Sequence, residues 1–316
     1  MIFCAVAAIS VACSTLNAQN PPAEIQTLKV QGSVYLLSGA GGNVAVQIGD
    51  MGVVVVDTGL AQSAPKIVEA IRKLSDKPLQ YIINTHFHPD HTGGNEVVRK
   101  AGVTITGANV AGNLTDASQG AAIIAHENVL NRMSAPTGKQ APTPTGAWPT
   151  ETYVSGRKEL YFNDEAIEVK WQPAAHTDGD SLVVFRHSDV IAAGDILSTT
   201  SFPFIDLANG GSIQGEIDAL NNILDLTVPK HDEEGGTYVI PGHGRICDEF
   251  DVLEYRDMVT IVRDRVQAAI KKGQTLDQMK AAHLTLDYDA RYNVKGAFVT
   301  ADSFVEAVYK SLTTKK

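Results

Sequence analysis

The feature that most constrains this chain is a run of three histidines and one aspartate within six residues, His86-Phe87-His88-Pro89-Asp90-His91. Imidazole and carboxylate groups are metal ligands, and so many of them in one short loop do not suit a hydrophobic core. Residues two apart in an extended segment point to the same side, so His86 and His88 are expected to bind one ion. Asp90 and His91 follow the Pro89 turn and are expected to face a second ion.

Three further candidate ligands lie close behind predicted strands, in glycine-containing loops. His176 follows a strand predicted over 166–172, Asp195 follows one over 190–193, and His243 follows one over 238–240. Loops held by a rigid scaffold often carry functional groups. We therefore predict that seven side chains bind two divalent ions: His86, His88, His176, Asp90, His91, Asp195 and His243.

The order of predicted elements indicates an α/β protein whose two halves look alike. Short strands with glycine-rich turns fill residues 33–57, and a helix over 63–75 follows. A second set of strands runs from 159 to 193, with a helix over 213–226 behind it. Two sheets packed together with helices outside account for this order. A single domain over 28–316 is expected.

Two segments of that domain are interpreted separately. Residues 111–150 contain clusters of Gly, Thr and Pro and are interpreted as an insertion over one face. The end of the chain is expected to be a helical tail, with helices over 248–272, 275–283 and 301–312.

The first 18 residues are expected to be a signal peptide. The apolar run 2–13 is shorter than the roughly 20 residues that a membrane-spanning helix needs, and small residues follow it. No Lys or Arg precedes Lys29, which is unusual for such a leader. Lipidation at Cys13, giving a lipid anchor, and an apolar N-terminus without an export role are the alternatives. The expected location is the periplasm or the exterior, with no membrane span.

Charge and cysteine content argue against three classes of protein. The formal net charge of -10 argues against a nucleic-acid binder, which needs a basic face to neutralise phosphates. Only Cys247 lies beyond residue 13, which excludes a disulfide scaffold and a zinc module with four cysteine ligands. A small-molecule substrate is therefore expected, while the oligomeric state stays open.

The 86–91 motif, with His176, Asp195 and His243 in this order, resembles the metallo-β-lactamase superfamily. Asp57-Thr58-Gly59 is similar to an early strand end of that family, and the resemblance covers roughly 30–249. It implies an αβ/βα four-layer sandwich with two Zn²⁺ at one edge; the histidine-rich ligands favour zinc and leave iron or manganese open. In this resemblance the first zinc is held by His86, His88 and His176, and the second by Asp90, His91 and His243, while Asp195 bridges or binds the second.

The resemblance also implies a hydrolase. A hydroxide shared by the two ions attacks a carbonyl group, and Asp90 holds the hydroxide and passes its proton to the leaving group. Cleavage of β-lactams, and hence antibiotic resistance, is the leading expectation. It is supported by the expected export and by residues 176–184, which resemble the third-ligand region of lactamases that use Cys in the second site.

Two departures from those lactamases keep other substrates open. Asp195 stands where they have Cys, and Ser198 stands where they have a substrate-binding lysine. Asp at this position is typical of lactonases and many general hydrolases of the superfamily, so a lactonase or another ester or thioester hydrolase is the alternative. A non-catalytic periplasmic zinc-binding protein is a further alternative.

Two residues outside the ligand set have candidate roles. Asn209 is a candidate for holding a substrate carbonyl oxygen, although it precedes two glycines and also fits a turn former. Asp57 is expected to support the loop that carries the ligands, through hydrogen bonds to nearby backbone.

Overall fold

The computed structural model describes residues 24–104, 120–136, 142–231 and 235–314. Both strands and helices are present along these ranges. The strands are β1 (Gln26–Gln31), β2 (Val34–Ser38), β3 (Val44–Gly49), β4 (Gly52–Val56), β5 (Leu79–Ile83), β6 (Ala122–His126), β7 (Glu151–Tyr153), β8 (Arg157–Phe162), β9 (Glu165–Trp171), β10 (Ser181–Phe185), β11 (Val190–Ser198) and β12 (Tyr238–His243). The helices are α1 (Ala64–Leu74), α2 (Pro89–Thr92), α3 (Asn95–Lys100), α4 (Glu127–Ser134), α5 (Ile213–Leu226), α6 (Glu249–Lys271), α7 (Leu276–Ala281), α8 (Leu286–Tyr292) and α9 (Ala301–Thr313).

The strands form two sheets. In the first, β1 to β7 lie side by side in chain order; β1 to β4 are antiparallel and β4 to β7 are parallel. The second sheet has the order β12-β11-β10-β9-β8, antiparallel except for the parallel pair β11 and β12. Parallel neighbours need a crossover connection, which α1 supplies between β4 and β5 and α5 supplies between β11 and β12.

The four valines of β4 show how the layers are built. Side chains alternate along a strand, so Val54 and Val56 point into the core between the sheets, while Val53 and Val55 pack against α1 on the outer face. All four are buried, which explains a continuous β-branched run in place of an alternating pattern. The outer face of the second sheet is covered by α5, α6 and α9. The predicted four-layer sandwich of helices, two sheets and helices is confirmed.

Part of the stretch interpreted as an insertion belongs to the first sheet instead. Ala122–His126 is β6, which pairs parallel to β5, and Ile123 and Ile124 are buried on its opposite faces. A short apolar run buried on both faces has no periodicity that separates it from a helix, so the sequence concealed this strand. Residues 111–119 and 137–141 of the stretch lie outside the described residues, as do the predicted leader and Cys13.

The helical tail predicted beyond residue 248 is present, with α8 as an additional helix. Its longest member, α6, begins with a capping box in which Asp248 and Asp251 bind each other's backbone N–H groups. Val259 and Val266 of α6 are buried against the second sheet and α9. Among the described residues we find no helix with the length and apolar character to cross a membrane.

The core between the sheets makes a direct stability prediction. Phe185 on β10 is fully buried there, so Phe185→Ala removes apolar burial and leaves a cavity. We expect the free energy of unfolding, measured by urea denaturation, to fall by about 3–5 kcal/mol. Tyr161→Ala on β8, where the side chain is 78% exposed, is the control and is expected to change it by about 0.5 kcal/mol or less. Equal losses for the two variants would contradict this layer assignment.

Candidate metal centre

All seven predicted ligands lie together at one edge of the sandwich. The first sheet contributes the loop after β5 and the short helix α2, where Pro89 occupies the first turn. The second sheet contributes the loop between β9 and β10 and the carboxyl ends of β11 and β12. The site is therefore built across both sheets, by His86, His88, Asp90, His91, His176, Asp195 and His243.

The ligands form two groups, and the groups share Asp195. His86, His88 and His176 make the first group with Asp195; Asp90, His91 and His243 make the second with Asp195. Within each group the ligand atoms lie within 4.8 Å of one another. The sequence assigned His86 and His88 to one ion and Asp90 and His91 to the other, and the structure places these side chains in the same two groups. That ions bind to them stays a prediction.

The two carboxylate oxygens of Asp195 face different groups. Oδ2 lies 3.8 Å from Nε2 of His86 and 3.7 Å from Nε2 of His176. Oδ1 lies 3.1 Å from Nε2 of His91 and 3.3 Å from Nε2 of His243. One carboxylate is thus placed to contact an ion in either group.

Asp195 takes this position because β11 continues past the point where the sequence predicts its end. The pairing of β11 with β12 shifts at Gly194, a bulge with φ of +54° that redirects the following side chain. Gly242 on β12 leaves the necessary room, since a Cβ atom there would lie 1.9 Å from Oδ1 of Asp195. Both glycines are therefore required by the placement of one carboxylate.

Several ligand atoms are buried without a hydrogen-bond partner. They are Nε2 of His86, Nε2 of His91 and Oδ1 of Asp195; the last two lie 3.1 Å apart, but not in the geometry of a hydrogen bond. A buried polar atom without a partner costs roughly 1–3 kcal/mol, and a cation between these atoms removes that cost. Imidazole nitrogens and carboxylate oxygens are zinc ligands. The residues present therefore fit a pair of divalent ions.

The outer nitrogen of each histidine in the first group has a partner of its own. Nδ1 of His176 donates to the carbonyl oxygen of Phe204 (2.5 Å), and Nε2 of His88 donates to Oδ2 of Asp206 (3.0 Å). Nδ1 of His86 donates to Oγ1 of Thr85 (3.0 Å). These bonds leave each inner nitrogen with a lone pair directed into the site. Nε2 of His176 and Nδ1 of His88 are only 2.9 Å apart, and a shared cation reconciles two acceptors so close together.

Asp57 plays the corresponding part in the second group. It is buried after β4, and its Oδ2 accepts from Nδ1 of His91 at 2.8 Å. It also accepts from the backbone N–H (2.8 Å) and the hydroxyl (2.6 Å) of Thr85. Its φ of +62° is a strained conformation for a residue with a side chain, and such strain concentrates at functional sites. The expected support of the ligand loop is thus present, together with a direct contact to a ligand.

Asp206 is a site residue that the sequence analysis missed. It contacts His88 from 118 residues away, and no local pattern joins the two. Asn209 donates its amide to Asp206 at 2.7 Å, in the turn that follows. The structure thus places Asn209 one residue behind a ligand, and its contact with a substrate stays a prediction.

Burial and neighbouring charges shift the pKa values of several ligands in different directions. Burial lowers the pKa of His86 well below its ordinary value and that of His176 to about 4, so both are neutral near pH 7. Burial alone would raise the pKa of Asp195, but His91 and His243 outweigh it and hold that pKa well below the ordinary value. Burial lowers the pKa of His91, but Asp195 and Asp57 outweigh burial and raise that pKa well above its usual range, so His91 releases a proton when it binds an ion.

A cavity of about 390 Å³ opens onto both ligand groups. Four ligands form its floor, three hydroxyl side chains and Pro89 form part of its wall, and three phenylalanines form the rest. In the described parts of the chain no Lys or Arg lines it. The lining residues are His88, Pro89, Asp90, Asp195, Ser198, Thr200, Ser201, Phe202, Phe204, His243 and Phe298.

Comparison with known proteins identifies the family to which this sequence is similar. The sequence profile described as the metallo-beta-lactamase superfamily matches residues 37–243. A linear primary-alkylsulfatase of Pseudomonas sp. (strain ATCC 19151) is 23% identical over 258 residues, which is 72% of this chain and 47% of that protein. The chain spans about half the length of the alkylsulfatases it matches.

Solved structures show the same fold. The stereoselective inverting sec-alkylsulfatase Pisa1 from Pseudomonas sp. superimposes with a TM-score of 0.61 at 15% identity, over 90% of this chain and 50% of that one. The DIM-1 metallo-beta-lactamase superimposes with a TM-score of 0.55 at 20% identity, over 75% of this chain and 98% of that one. At these identities the likeness supports the fold.

The two supporting aspartates make separate predictions for the two ligand groups. We expect Asp57→Asn to weaken the binding of one zinc ion by about 10–100-fold, because His91 loses the acceptor that orients it. Asp206→Asn is expected to weaken the binding of the other zinc ion by a similar factor, because His88 loses the acceptor that orients it. Titration of metal-free protein against a chromophoric chelator measures both affinities.

The double variant separates independent effects from a general loss of structure. If the two aspartates act on different ions, both affinities fall in the double variant while the midpoint of metal-free unfolding stays close to that of the single variants. Unchanged zinc affinities in either single variant would contradict the assignment of its aspartate.

Proposed function

The chain belongs to the metallo-β-lactamase superfamily, and from that premise we propose that it is a metal-dependent hydrolase of esters that carry an apolar group. The observation that carries this proposal is the cavity beside the shared carboxylate of Asp195. Both ligand groups open onto this cavity, its wall is partly apolar, and no Lys or Arg of the described chain lines it. The substrate class rests on that lining and on the two alkylsulfatases among the relatives.

The ligand groups supply the chemistry of hydrolysis. Two divalent ions bound there lower the pKa of water and polarise the oxygen of the bond to be cleaved. Asp90 lies at the cavity surface, with Oδ2 3.2 Å from Nε2 of His243. Burial disfavours its charge, but the hydrogen bond from His243 and the charge of His91 lower its pKa below the ordinary value. An ionised Asp90 is therefore ready to take a proton from the attacking water and return it to the leaving group.

The cavity favours an ester over a β-lactam antibiotic. Penicillins and cephalosporins carry a carboxylate, which needs a cationic partner when it leaves water. Ser198 occupies the position of the lysine that serves this purpose in related lactamases, and its side chain lines the cavity. With no Lys or Arg in the lining of the described chain, an anionic group has only the metal ions and hydroxyl groups to contact.

β-Lactam hydrolysis, with antibiotic resistance as its consequence, is the second candidate. It is favoured by residues 176–184, which resemble the third-ligand region of lactamases, and by the match to nearly the whole length of DIM-1. Export to the periplasm, proposed from residues 1–18, suits both candidates.

A substrate panel tests the choice between the candidates. We expect the chain loaded with zinc to hydrolyse p-nitrophenyl carboxylate esters, which are neutral, with kcat/KM at least about tenfold above that for nitrocefin, because the cavity lacks a cation for the carboxylate of nitrocefin. Alkyl sulfates, whose only charge lies on the group to be cleaved at the ions, are the second ester class of the panel. A chelator should abolish the activity and added zinc should restore it. A nitrocefin rate above that of every ester would overturn the ester assignment, and zinc binding without turnover of any compound would favour the non-catalytic alternative.

The role of Asp90 is tested with excess zinc present. Asp90→Asn removes the proton acceptor and is expected to lower kcat by about 10²–10⁴-fold for the best ester found in the panel. Asp50→Asn, at an exposed turn between β3 and β4, is the control and should keep normal turnover. A near-normal kcat in Asp90→Asn, with two zinc ions bound, would exclude this role.

A further inference from the structure

We infer that Phe298 is a specificity-determining residue that selects substrates by the apolar group they carry. This inference rests on the proposed function and adds the residue that contacts the apolar group of the substrate. Phe298 belongs to the loop between α8 and α9, beyond residue 243, where the match to the superfamily ends. The helical tail thus supplies an outer wall to a cavity whose other lining residues lie within the matched region.

An aromatic path leads from Phe298 to the metal ligands. Its ring lies 5.4 Å from that of Phe204 in an edge-to-face arrangement at 81°. The ring of Phe204 lies 5.9 Å from that of His88 and 5.6 Å from that of His176. An ester group at the ions therefore places its attached chain along Phe204 and then Phe298.

The loop that carries Phe298 is anchored on both sides. Tyr292 and Val299 are buried in the core under α5, α6 and α9. Tyr292 lies 5.6 Å from Phe202, whose ring stacks on Phe304 of α9 at 5.2 Å. The backbone N–H of Ala297 closes a turn onto the carbonyl of Val294 at 2.9 Å. Phe298 is thus held in place by its neighbours without being covered by them.

The exposure of Phe298 leaves most of its ring free to contact a bound apolar chain. It is 81% exposed, while Phe202 in the same lining is fully buried and Phe204 is 39% exposed. Water contact with so much apolar surface is unfavourable, and an apolar chain laid against the two rings relieves it. Full burial of such a chain tightens binding by about fourfold per methylene group.

Two readouts on the full chain loaded with zinc test the inference. The first is kcat/KM for p-nitrophenyl acetate, butyrate and hexanoate. The second is the affinity of ethanethiol and hexanethiol, whose thiolate sulfur is a zinc ligand, measured by calorimetry without turnover. We expect kcat/KM and thiol affinity to rise with the length of the apolar chain in the wild type. Phe298→Ala is expected to lower both quantities by about tenfold for the compound with the longest chain. The shortest compounds should be affected by less than about twofold.

Matched variants separate apolar contact from other effects. Phe250→Ala removes another exposed phenylalanine (63%) that does not line the cavity, and it should keep the dependence on chain length. Phe298→Leu keeps an apolar side chain and should restore most of the loss.

The possible outcomes are distinguishable. If no ester is hydrolysed but thiol affinity rises with chain length and falls in Phe298→Ala, the proposed function fails and the inference holds. If esters are hydrolysed and Phe298→Ala keeps the wild-type dependence on chain length in both readouts, the inference is overturned. It is also overturned if Phe298→Ala changes the self-association of the protein in sedimentation and leaves both readouts unchanged. The ring would then contact a second copy of the chain instead of a substrate.

Discussion

A single carboxylate, that of Asp195, whose side chain is only 14% exposed, holds the two halves of the site together. Its oxygens face histidines from both sheets at 3.1–3.8 Å, and one of them has no hydrogen-bond partner. A buried charge is tolerated when opposite charges surround it, which here means protonated histidines or metal ions. The bulge at Gly194 directs this side chain into the site, and the missing side chain at Gly242 leaves room for its carboxylate.

The sandwich makes that placement accurate. His86, His88, Asp90 and His91 follow β5 of the first sheet, while Asp195 lies in β11 and His243 ends β12 of the second. The core between the sheets, with Phe185 and Val54 among its members, fixes the distance between the two sets. Asp57, Asp206 and Thr85 then orient individual imidazoles from behind. Rigid sheets with a supporting layer of hydrogen bonds are what a precise metal site requires.

The sequence predicted the ligands and the layers better than it predicted their surroundings. The six-residue motif concentrates donor types that have no place in a core, and the apolar runs before His176, Asp195 and His243 mark the strands that position these side chains. Asp206 and β6 were missed for physical reasons. The contact of Asp206 with His88 depends on tertiary structure, and a strand buried on both faces has no alternating pattern. No local sequence pattern indicates Phe298 either, because its role depends on its tertiary contact with the ring of Phe204.

Diffraction at the zinc absorption edge, on crystals grown with zinc, tests the central claim most directly. The account predicts two anomalous peaks about 3.5–4 Å apart, one on each side of the Asp195 carboxylate, with three further ligands around each. A single peak, or a second peak that Asp195 does not contact, would contradict the claim that this carboxylate joins the two groups.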